Sequence, residues 1–87
     1  MHPDLQGLLE QHRSAFALSG LNLHLSYAYT VIGMSAQGIM IPHIKAEGGE
    51  LEATVYVDYD LPHTRILPVL LHELIHAEQY ARGGVPA

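Results

Sequence analysis

The chain is 87 residues long, 48% hydrophobic and 15% charged, a size and balance that suit one globular domain and exclude both a disordered tail and a two-domain protein. Four Lys and Arg residues against nine Asp and Glu give a formal charge of −5. Because Arg13, Lys45, Arg65 and Arg82 are scattered, this segment is not expected to bind nucleic acid directly. With no cysteine in the chain, disulfides, thiolate metal sites and cysteine nucleophiles are excluded, and any metal must be held by His, Asp, Glu or water.

The opening Met1-His2-Pro3-Asp4 lacks a basic targeting region, and no apolar run approaches the roughly 20 residues of a membrane span, so a cytoplasmic protein is expected. Residues 4 to 19 place Leu5, Leu8, Leu9, Ala15 and Phe16 at helical spacing, with Gly20 where a helix would stop. From 21 to 32 the pattern changes to alternation. Leu21, Leu23, Leu25, Tyr27, Tyr29 and Val31 share one side and Asn22, His24, Ser26 and Thr30 the other, which predicts a half-buried strand.

Gly33 and Gly38 bracket a polar turn, and residues 38 to 41 predict a short second strand closed by Pro42. Residues 45 to 50, Lys-Ala-Glu-Gly-Gly-Glu, read as a loop tip. Alternation resumes from 51 to 59 with Thr54, Val55, Tyr56, Val57 and Tyr59, a third strand, ended by Asp60-Leu61-Pro62. A helix follows from 64 or 65 to Arg82, stopped by Gly83-Gly84. Its apolar residues cover most faces, as in a buried helix. Pro68 leaves two possibilities open: the regular helix begins close to it, or is kinked there. The predicted fold is α+β: an N-terminal helix, a small three-stranded, mostly antiparallel sheet and a C-terminal helix, in a single domain over residues 1–87.

The last helix carries His72-Glu73-Leu74-Ile75-His76. Two histidines four apart share a helix face, with Cβ atoms about 6 Å apart, so both imidazoles can reach one Zn2+ ion. Glu73 is rotated about 100° from His72. Its carboxylate can lie beside the ion without binding it and take a proton from an attacking water, which makes Glu73 the candidate general base. Seven histidines in 87 residues make a chance match conceivable, but Val69-Leu70-Leu71 and Leu74-Ile75 would bury a polar triplet that needs a reason to be there.

Leu71-His72-Glu73-Leu74-Ile75-His76-Ala77, preceded by a strand ending Val55-Tyr56-Val57-Asp58, resembles the zincin metallopeptidases, and most of all the SprT-like family. Only the HExxH stretch is specific, and small gluzincins and ImmA-like peptidases share it. The resemblance implies a zinc-dependent peptidase acting on peptide or protein substrates, some relatives cleaving proteins crosslinked to DNA. It implies His72 and His76 as ligands, Glu73 as base, and an edge strand near residues 53 to 59 lining the cleft, where an extended peptide adds as a further strand.

The departures from that pattern bear on the metal. SprT-like proteins supply a third histidine beyond the motif helix, and no histidine follows His76 through Ala87. A domain truncated at its C-terminus is the expectation, in which two histidines and water hold zinc weakly. Glu78 lies about 200° from His76 around the helix, and His63 is a weaker candidate ligand than a solvated turn histidine. His24 and His43 read as solvated, Tyr80 as a packed helix residue, and Asp58 and Asp60 as terminators of structure. The alternative function is a non-catalytic metal-binding or protein-interaction module with an incomplete site.

Overall fold

Asp4 opens the first helix, its side chain accepting a hydrogen bond from the Gly7 backbone N–H at 3.2 Å and so satisfying one of the donors that a helix start leaves unpaired. In the computed structural model, which describes residues 2–29, 37–43 and 51–83, this helix α1 spans Leu5–His12 and tightens into a 3-10 turn over Arg13–Ala15. It ends earlier than its apolar spacing predicts. Phe16 is already extended at φ −129°, ψ 139°, which lets Leu18 drop into the core, and Gly20 at φ 82° serves the turn into the sheet rather than a helix cap.

The three strands are β1 (Leu21–Ala28), β2 (Gly38–Pro42) and β3 (Leu51–Asp58), in the spatial order β1-β3-β2. β2 pairs antiparallel with β3, from Gly38 opposite Val57 to Pro42 opposite Ala53. β1 pairs parallel with it, from Leu21 opposite Leu51 to Ala28 opposite Asp58. The fold is α+β with a mixed sheet, less antiparallel than the sequence suggests.

The strand order also overturns the assignment of residues 51 to 59 to a sheet edge. β3 is the central strand, hydrogen-bonded on both sides, and the edge beside the motif helix is β2. The physical reason is visible in burial. Ala53, Val55 and Val57 are fully buried and Thr54 on the other face nearly so, whereas β1 alternates half-buried and exposed. Residues 30 to 33, 45 to 50 and Gly84 lie outside the described residues, with the strand continuation, loop tip and second stop glycine predicted there.

The second helix, α2, spans His63–Ala81 and contains Pro68, so it does not begin at the proline. Ile66, Val69, Leu70, Glu73, Leu74 and Ala77 form its buried face, the i, i+3/i+4 stripe of a helix lying on a sheet, and it packs on β2 and β3. Its end is set by Gly83 at φ 83°, whose N–H reaches the Tyr80 carbonyl at 3.0 Å. No helix among the described residues is long and apolar enough to cross a membrane.

Leu9, Ile66, Leu70, Leu74, Val55 and Val57 are the largest fully buried side chains and tie both helices to one face of the sheet. Leu70→Ala should therefore cost about 2–5 kcal/mol. Ile75→Ala, at a side chain 47% exposed, should stay within about 0.5 kcal/mol. Urea unfolding monitored by circular dichroism checks the contrast, and equal losses would contradict this core.

Candidate functional site

The fully buried Leu70 and Leu74 hold α2 against the sheet, and this fixes what the rest of the helix presents. His72 is exposed and His76 half-buried. Their rings meet edge to face, centroids 4.9 Å apart and planes at 83°. Glu73, between them in sequence, is 6% exposed. Two adjoining hollows run along this face. One of about 500 Å³ is lined by Gln37, Gly38, Arg65, Pro68, Val69, His72 and Glu73. The other, about 340 Å³, is lined by Gly38, Ile39, Met40, His72, Glu73 and His76. Together they form a cleft with α2 as one wall and edge strand β2 as the other.

The close fit of those walls depends on Gly38. A Cβ there would stand 2.8 Å from Val69 Cγ1, closer than packed carbon atoms tolerate, and in tight contact at 3.1 Å from Glu73 Cγ and 3.2 Å from the Tyr56 carbonyl oxygen. Sequence reasoning treated Gly38 as a turn marker and missed it as a site residue. The available signal was a glycine beginning a strand, which often marks a close backbone approach.

Burial pushes the Glu73 carboxyl pKa up, while the neighbouring His76 and His72 imidazoles pull it back down. Among the described residues no side-chain polar atom is both buried and without a hydrogen-bond partner, and no hydrogen bond fixes the Glu73 carboxylate, so its oxygens face the open cleft. The carboxyl is thus largely dry and accessible from one side, and burial raises its proton affinity.

Two imidazoles on one helix face suit a borderline metal such as zinc, which commonly takes three protein ligands in catalytic sites. Among the described residues, no group of three or more His, Asp or Glu side chains is assembled to hold an ion. His63 stands nine residues before His72, roughly 13 Å along the helix. Its ring instead meets that of His2 at 5.2 Å. Glu78 accepts a hydrogen bond from the Ala17 backbone N–H at 2.7 Å and lies 3.6 Å from Arg82, tying the N-terminal segment to α2.

The other residues weighed in the sequence lie away from the motif. His24 and His43 are on the opposite face of the sheet, where His24 contacts Glu52 at 2.8 Å and His43 contacts the Thr54 hydroxyl at 2.7 Å. Asp58 accepts from the Asp60 backbone N–H at 2.9 Å, closing the turn after β3, and Tyr80 is half-buried towards the end of α2. No known protein family, curated protein or solved structure matches this chain.

Two outcomes follow from this geometry. A carboxyl whose pKa is raised on folding binds more protons in the folded than in the unfolded state. Its contribution to stability therefore falls as pH rises from the unfolded value of about 4.3 towards the folded one. Metal-free Glu73→Gln should melt above the parent protein at neutral pH, with the difference closing below about pH 4; a gap independent of pH would contradict the buried carboxylate. Gly38→Ala should lose about 1–3 kcal/mol by overpacking, and an unchanged urea midpoint would show that β2 does not press on α2 there.

Proposed function

We propose that the chain is a zinc-dependent metallopeptidase domain in which His72 and His76 are metal ligands and Glu73 is the general base. The observation that carries this reading is the pair of imidazoles 4.9 Å apart with the buried Glu73 carboxyl beside them, in a cleft whose far wall is a sheet edge. A peptide laid along β2 as an additional strand brings a backbone carbonyl past His72 and His76, and main-chain hydrogen bonds to the edge hold it without dependence on its side chains. Zinc bound to the two imidazoles would polarise that carbonyl and lower the pKa of water at the site.

Glu73 then takes the proton released as water attacks the carbonyl carbon. It returns that proton to the amide nitrogen as the C–N bond breaks, leaving one new carboxylate and one new amine. Its environment suits both halves of the task, since desolvation raises its proton affinity and the open side of the cleft gives it access to the reacting atoms.

A second reading, a non-catalytic metal-binding or interaction module, draws support from the two-histidine donor set among the described residues. The two readings separate on the same variants. His72→Ala and His76→Ala should each abolish stoichiometric zinc binding in equilibrium dialysis. Glu73→Gln should keep the zinc and lose peptide hydrolysis by about 10²–10⁴-fold. Zinc binding without hydrolysis in the parent protein would favour a metal-binding module, and a parent that neither binds zinc nor hydrolyses peptide would contradict the peptidase and favour an interaction module.

A further inference from the structure

We propose that Arg65 recognises a carboxylate on the peptide held in this cleft, so that the preferred substrates are acidic peptides bearing it about three residues from the bond cleaved; this rests on the metallopeptidase reading above. The first observation is the distribution of charge. Arg13 makes a bidentate contact with Glu10 at 2.9–3.2 Å, and Arg82 pairs with Glu78 at 3.6 Å. Arg65 is different: its Nη2 donates to the neutral amide oxygen of Gln37 at 2.9 Å, and no carboxylate among the described residues meets it. Both Arg65 and Gln37 line the cleft with His72 and Glu73. In a chain of net charge −5, the cleft wall thus keeps a guanidinium whose charge is not neutralised by a described neighbour.

Fold stability does not account for that placement. Arg65 lies in the first turn of α2, which contains no acidic residue, and a cation there opposes the helix dipole instead of complementing it. Several guanidinium N–H groups remain beyond the one given to Gln37, in the planar fork that matches a carboxylate. Gln37 holds the fork against the β2 wall, which lowers the ordering cost of binding.

The spacing to the motif sets the position of the carboxylate. Seven residues separate Arg65 from His72, two helical turns or roughly 10 Å, and an extended peptide advances about 3.3 Å per residue. α2 and β2 also progress together along the cleft. Gln37 and Gly38 share one hollow with Arg65, while Gly38 to Met40 share the next with His72 and His76. A peptide added to β2 therefore passes both the guanidinium and the imidazole pair. The carboxylate can belong to an Asp or Glu side chain or to the peptide's C-terminus.

The test uses fluorescence anisotropy on zinc-free Glu73→Gln protein at low ionic strength, so that it reads binding without turnover. The probes are a labelled neutral peptide with a blocked C-terminus, versions with one Glu stepped along either half, and a version with a free C-terminal carboxylate. At least one carboxylate position should bind roughly tenfold tighter than the neutral peptide. Adding Arg65→Gln should erase that preference, and Arg65→Glu should transfer it to a Lys-bearing peptide. The best-binding probe then distinguishes a side-chain carboxylate from a chain terminus. In the zinc-loaded parent, the same carboxylate should lower KM with little change in kcat. Equal affinity for acidic and neutral peptides, or a preference that survives Arg65→Gln, would overturn the role of Arg65. Carboxylate-dependent binding with no hydrolysis by the parent would overturn the peptidase reading alone.

Discussion

Gly38 has no side chain, and the contact this permits between β2 and α2 determines most of what the cleft can do. Val69 Cγ1 and Glu73 Cγ of α2 lie 2.8 and 3.1 Å from where a Cβ at Gly38 would be, so at this position the strand backbone packs directly against side chains of the motif helix. That closeness removes Glu73 from bulk water while leaving the two imidazoles facing the cleft. It also sets β2, an edge strand among the described residues, beside the candidate reactive residues. A larger residue at position 38 would have to push Val69 and Glu73 away, opening the contact that helps keep Glu73 from solvent.

Burying Glu73 works against the stability of the metal-free fold, because a carboxylate in a dry place is disfavoured in its charged form. The neighbouring histidines offset this in part, and a cation bound by them would offset it further. In a small domain, which buries only about 60% of its unfolded surface, this coupling makes the site a component of the folding balance. Were a metal bound there, its binding and the folding of the chain would reinforce each other. The core residues Leu70 and Leu74 supply the opposing rigidity, holding the helix so that the polar triplet keeps its orientation in the absence of an ion.

Much of the local structure was legible in the residues. The alternation of Leu21, Leu23 and Leu25 marks β1, a direct consequence of strand geometry, whereas apolar residues on most faces of α2 suggested a helix buried all round and hid the one-sided 66, 69/70, 73/74, 77 stripe on which it packs. The imidazole pair followed from a four-residue spacing on that helix. Strand order was not legible. Period-two patterning in β3 distinguishes its two faces but carries no information on its lateral neighbours, so the central position of β3 and the edge position of β2 came from tertiary pairing. The early end of α1 likewise reflects the burial of Leu18, which overrides a helical spacing that continues past His12. Gly38 and Arg65 were missed as site residues because their role arises only when residues 37 and 38 are brought beside α2.

The central claim is that His72 and His76 bind one metal ion next to Glu73. X-ray absorption spectroscopy of the zinc-loaded protein, at protein in excess over zinc, tests it most directly by counting imidazole ligands and their distances. The account predicts two imidazole nitrogens at about 2.0–2.1 Å with the remaining positions filled by oxygen, and loss of the imidazole signal in the His72→Ala, His76→Ala double variant. A spectrum with only oxygen ligands, or one whose imidazole signal survives in that variant, would contradict it.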